Sequence, residues 1–137
     1  MEQRISFITL VVDDVEASRA FYVDRLGWHE ELHVEGEVLM LRVGDKLMLS
    51  LWDRAHAEAE LGPVKADGVA PITLAHNVAS ESEVDAVIAE ARAAGATLVS
   101  EPVRRSWGGY TGYIADPDGY RWEVAYNPGP IGESVLP

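Results

Sequence analysis

The chain contains no cysteine, which excludes a disulfide framework, a thiol nucleophile and a thiolate metal site. Basic residues are scarce: 11 Lys and Arg stand against 23 Asp and Glu, for a formal net charge of −12. Nucleic acid is therefore not an expected partner, because a phosphate binder needs a basic patch that releases counterions. Long apolar runs are also missing. No stretch approaches the ~20 residues that cross a bilayer, so no membrane partner is expected. There is no phosphate-cradling Gly-rich loop, no dinucleotide fingerprint and no serine elbow. Met1-Glu2-Gln3-Arg4 runs straight into a strand pattern, so no signal peptide and a cytoplasmic location are expected.

What is present reads as an ordinary globular chain, with 47% hydrophobic and 25% charged residues in 137. Ile5 to Val12 is a β-rich run, followed by Asp13-Asp14 as an N-cap signal. Val15, Ser18, Phe21, Tyr22 and Leu26 then recur at helical spacing until Gly27 stops them. Trp28–Val34, Val38–Val43 and Leu47–Trp52 read as strands, with turns at Glu35-Gly36 and Gly44-Asp45. The order is β-α-β-β-β.

The second half repeats it. Pro71–Val78 is a strand, and Ser80 opens a helix with Val84, Val87, Ile88 and Ala91 on one face. Gly95 stops that helix; Ala96–Ser100, Tyr110–Ala115 and Arg121–Tyr126 are strands, the last two joined by Asp116-Pro117-Asp118-Gly119. Module one is set at 5–53, a partly helical linker at 54–70, module two at 71–127 and a surface tail at 128–137. Residues 1–127 are thus expected to make one domain. Aligning the halves puts Phe7 opposite Thr73 and Ser50 opposite Glu123. By strand alternation, Phe7 and Thr9, Ser50 and Trp52, Thr73 and Ala75, and Glu123 and Ala125 line one kind of face. Ile8, Leu10, Ile72, Leu74 and Val124 belong under the helices.

Two stretches, Val11 to Tyr22 and Asp116 to Glu123, give the chain a clear likeness. Together with the repeat, they resemble the vicinal oxygen chelate superfamily of glyoxalase I, extradiol dioxygenases, fosfomycin-resistance enzymes and bleomycin- and mitomycin-binding proteins. The likeness runs from about Ile5 to Tyr126 and is greatest to the metal-free drug-binding members. It implies an α+β fold of tandem βαβββ modules in a half-open mixed-sheet barrel around a cavity, and a homodimer. It also implies that metal ligands, where the family has them, fall at Phe7, Ser50, Thr73 and Glu123. A catalytic divalent ion needs about three protein donors. Phe7 has none and Ser50 and Thr73 are poor neutral ligands, so no metal and no cofactor are expected.

The resemblance places Glu123 in the cavity, as an amine binder, a general base or a partner of Arg121. Trp107, in Arg104-Arg105-Ser106-Trp107-Gly108-Gly109-Tyr110, is similar to a tryptophan that flanks a planar ligand in drug-binding members. Trp52, Phe7 and either Tyr110 or Tyr113 would complete an aromatic box. Arg104 and Arg105, near the cavity mouth, are candidates for holding a carboxylate or phosphate. Two functions follow: sequestration of a planar or aromatic small molecule, or a lyase, isomerase or dioxygenase-like enzyme using Glu123, with His76 if it faces the cavity. Parity instead puts His76 on the helix side, as a buried, hydrogen-bonded histidine. Trp28 and Trp122 read as packing residues, and His56 as a surface residue. The string His29-Glu30-Glu31-Leu32-His33 imitates a zinc-protease motif but lies in a strand, where that chemistry has no geometry.

Overall fold

The computed structural model describes residues 1–65 and 67–137. Ala66, inside the expected linker, lies outside the described residues. The chain divides into two compact units, Met1–Asp67 and Gly68–Pro137, with the boundary inside that linker.

The first unit runs β1 (Phe7–Val12), α1 (Val15–Arg19, continued as a π-helical turn over Ala20–Arg25), β2 (Glu30–Val34), β3 (Val38–Gly44), β4 (Leu47–Asp53) and α2 (Arg54–Leu61). Its sheet has the order β1-β4-β3-β2, with β1 and β4 parallel. The second unit runs β5 (Thr73–Val78), α3 (Glu81–Ala93), β6 (Thr97–Arg104), β7 (Tyr110–Ala115), β8 (Arg121–Tyr126) and a short α4 (Pro130–Glu133). Its sheet order, β5-β8-β7-β6, is the same, again with the outer pair parallel. The α+β class and tandem βαβββ modules are as expected. The strands form two separate mixed four-stranded sheets, not a closed barrel. The tail carries α4 rather than irregular chain, and a Cβ on Gly132 would meet the Asn127 carbonyl oxygen.

α1 and α3 begin where the sequence offers a cap. Asp14 accepts from the backbone N–H of Glu16 and Ala17, at 2.9 and 3.0 Å. Ser80 accepts from Glu83, whose carboxylate receives the Ala79 N–H at 2.9 Å. Asp14→Ala is expected to lower unfolding free energy by about 1 kcal/mol, read from a urea midpoint. An unchanged midpoint would mean that the cap contributes nothing.

Alternation sorts the strand residues into two faces. Leu10, Val12, Leu39, Leu41, Leu49 and Leu51 are buried with Val15, Phe21 and Tyr22 as the first unit's core. In the second unit, Val84, Ile88 and Ala91 of α3 are buried, as are Ile114 and Val124 of the strands that α3 packs against. Gly112 has no side chain because Ile88 needs the space: a Cβ there would lie 2.5 Å from Ile88 Cδ1. Among the described residues no helix is long and apolar enough to cross a membrane.

Candidate functional site

Strand pairing fixes which residues share the face opposite the helices of each unit. In the first unit, Phe7 pairs with Met48, Thr9 with Ser50 and Val11 with Trp52. Across the neighbouring strand, Met40 lies beside Ser50 and Val38 beside Trp52. This face is apolar and aromatic apart from Thr9, Ser50 and Arg42. Phe7 is 52% exposed, whereas Ser50 is only 4% exposed.

The second unit repeats this register with different chemistry. Thr73 pairs with Arg121 and Ala75 with Glu123. Tyr113 lies beside Glu123 and Thr111 beside Ala125. The duplication therefore sets Tyr113 where the first unit has Met40, Glu123 where it has Ser50, and Thr111 where it has Val38. Polar side chains are concentrated on this second face.

Glu123 does not pair with Arg121 in any ion pair among the described residues. Instead, the Tyr113 hydroxyl donates to Glu123 Oε1 at 2.6 Å, the length of a charge-assisted bond. That bond, helped by burial and the carboxylate charge, pushes the Tyr113 phenol above its ordinary pKa. The neutral phenol is thus favoured in the folded state. Its stabilising effect is complete below the ordinary tyrosine pKa and fades as pH rises through the raised one. Following phenolate absorbance in alkali, Tyr113→Phe is expected to remove one late-titrating tyrosine. Loss of an ordinarily titrating one would contradict the bond.

Tyr110 stands on the other face. Its hydroxyl donates to Asp85 of α3 at 2.9 Å, so of the two tyrosines offered for an aromatic box only Tyr113 lies on the Glu123 face. Arg104 also turns to the helix side, gripping both carboxylate oxygens of Glu81 at 3.0 Å. Arg105 turns the opposite way. Its Nε donates to Thr111 Oγ1 at 2.7 Å and its Nη2 to the Thr111 carbonyl at 3.3 Å. Its guanidinium carbon lies 5.9 Å from the Tyr113 ring centre.

Arg105 also opens the β6–β7 turn. Gly108 N–H donates to the Arg105 carbonyl at 3.0 Å, and Arg105 N–H to the Gly109 carbonyl at 2.7 Å. Gly108 takes φ +99°, a conformation open to glycine. Gly109 leaves room for Trp107, since a Cβ there would lie 1.8 Å from the indole ring. Trp107 nevertheless remains 57% exposed. Gly109→Ala is expected to push the indole off the turn and shift its NMR N–H signal, with little change in stability. An unmoved signal would contradict the packing.

Other candidates resolve as structural. His33 Nε2 is 2.9 Å from Glu16 Oε1, and Arg42 grips Glu31, so the protease-like string is pinned in β2. Trp28 stacks at a tilt on Tyr22, with ring centres 5.3 Å apart. Trp122 shares the α3 side with Ile114. His56 is exposed and lies 2.8 Å from the α2 cap Asp53. His76 pairs with Val124 and so is on the helix side, as parity predicts, but it is exposed rather than buried. The reason is position: β5 is an edge strand, and α3 packs mainly over β7 and β8.

The four positions at which the resemblance puts a metal do not fit one. Phe7 lacks a donor, Ser50 and Thr73 are neutral hydroxyls, and one Glu123 oxygen already accepts from Tyr113. Among the described residues no three His, Asp or Glu side chains converge in a metal-holding cluster. Thr111 and Ser100 escaped the sequence reading. Ser100 pairs with Tyr113, and its buried hydroxyl has no hydrogen-bond partner among the described residues. The two-residue step from Thr111 to Tyr113 was the available signal for the first.

Residues 4–124 match the model of the Glyoxalase/Bleomycin resistance protein/Dioxygenase superfamily. A glyoxalase-related enzyme from Fulvimarina pelagi is 34% identical, with a TM-score of 0.84 over 93% of this chain and 90% of that one. A glyoxalase/bleomycin resistance protein/dioxygenase from Nocardioides is 26% identical, with a TM-score of 0.78 over 94% and 89%. Lactoylglutathione lyase from Agrobacterium tumefaciens is 26% identical, with a TM-score of 0.70 over 92% and 95%. No curated protein matches the chain by sequence.

Proposed function

Since the chain belongs to the Glyoxalase/Bleomycin resistance protein/Dioxygenase superfamily, we propose that it is a metal-free binding member that sequesters a planar or aromatic organic molecule. One observation carries this reading. Of the four positions where the resemblance expects donors, only Glu123 is charged, and it is held by Tyr113 at 2.6 Å. The proposed contacts in the second unit are Thr73, Tyr113, Glu123 and Trp107; Phe7, Ser50 and Trp52 are the candidates on the corresponding face of the first unit. Apolar contact and stacking supply affinity, while the hydroxyls and the carboxylate orient the ligand. Tyr110, bonded to Asp85, drops out of the contact set.

The test is ligand screening by tryptophan quenching. Saturable binding without turnover supports sequestration. Turnover abolished in folded Glu123→Gln supports the second reading, an enzyme with Glu123 as base. The Tyr113–Glu123 bond favours that alternative, since it holds the carboxylate in place as a base. In either case the proposed assembly is a homodimer, which a monomeric mass in light scattering would contradict.

A further inference from the structure

Arg105 is set apart from the other cations near it. Arg104, one residue away, is neutralised by Glu81 and points to the helix side. Arg105 is half-buried and has no carboxylate partner among the described residues, in a chain of net charge −12. A buried or half-buried guanidinium is costly unless its donors are satisfied. Thr111 occupies Nε and Nη2 through two oxygens. Nη1 makes no hydrogen bond among the described residues, and Thr111 holds the group over the Tyr113 ring. The position is thus fixed by neutral acceptors, with no ion pair to Arg105 among the described residues.

We infer that Arg105 is the anchor for a carboxylate on the ligand, so that the protein takes planar aromatic acids rather than neutral aromatics. This rests on the sequestration reading above and names its ligand class. Two features favour a monoanion over a phosphate. Along the face, Thr111, the Tyr113–Glu123 pair and Arg121 follow at two-residue steps of roughly 7 Å. Arg105 and Arg121 are therefore separated by a carboxylate and do not converge on one group. The acidic field of the whole chain also opposes a dianion more than a monoanion. Nη1 and the remaining Nη2 proton leave an end-on edge that matches a carboxylate in plane, while Trp107 on the same turn is exposed to an aromatic body.

The experiment compares 2-naphthoate with its neutral isostere 2-naphthamide, using NMR titration of the Arg105 Nε–H and Trp107 indole signals. Wild-type protein is expected to bind the acid about tenfold more tightly. Arg105→Gln should erase that preference, and Arg104→Gln should keep it. Equal binding of acid and amide overturns the carboxylate anchor but leaves the aromatic binder standing. Saturation by neither probe overturns both. A preference lost equally in Arg104→Gln would show general attraction and overturn the anchor. Should Arg105→Gln not fold, the wild-type Nε–H signal decides: movement with the acid alone supports the anchor, and no movement overturns it.

Discussion

Trp107→Ala is expected to weaken binding of a naphthalene probe by roughly 30-fold, about 2 kcal/mol, while leaving the melting temperature nearly unchanged. Both halves of that expectation come from the turn. The indole is 57% exposed, so it contributes little to the core, and surface truncations of this kind usually change stability by less than about 0.5 kcal/mol. Its ring lies over Gly109, which limits the rotamer entropy lost when a ligand stacks on it. Glu123→Gln is the control. The amide oxygen still accepts from Tyr113, so the face keeps its shape while its charge is removed. Probe binding retained in Glu123→Gln and lost in Trp107→Ala fits a stacking site. The reverse pattern would make the carboxylate the principal contact and favour the enzyme reading.

Phe21→Ala is expected to be the most damaging core truncation, at about 3–5 kcal/mol by denaturant unfolding. Phe21 is 1% exposed, as is its neighbour Tyr22, and the two rings meet edge-on at 4.9 Å. Adjacent residues of a regular helix point about 100° apart, so burying both takes an apolar face at least that wide. The π-helical turn over Ala20–Arg25, with Leu26 N–H bonded to the Phe21 carbonyl at 3.0 Å, changes that spacing. Tyr22 also carries Trp28, so the cavity left by Phe21 would loosen the start of the hairpin. A loss below about 1 kcal/mol would mean that the helix relaxes into the space and that the π turn has no packing role.

Most of the fold was legible because each module carries a period-two and a period-3.6 pattern in order, ended by Gly27 and Gly95. β6 runs four residues beyond its expected end. Pro102 and the flanking charges disguised it, and they are tolerated because β6 is an edge strand whose pairing shifts on either side of Ser100. The π turn leaves no mark in the sequence. Much of the candidate site was accessible through register. The Asp116–Gly119 turn sets Ala115 beside Arg121, and two residues further from the turn on each strand put Tyr113 beside Glu123. The same alternation sends Arg104 toward α3 and Arg105 away from it. What alternation could not supply was the helix footprint, which leaves His76 exposed at the sheet edge.

The most direct test of the central claim is metal content, by elemental analysis of untagged protein purified without added metal. Well under one-tenth of an equivalent of any divalent transition metal per chain is expected, because a lone carboxylate already bonded to a phenol leaves an ion mostly hydrated. About one equivalent of bound metal, retained through dialysis, would contradict it and make a lyase or dioxygenase with a rearranged ligand set the better description.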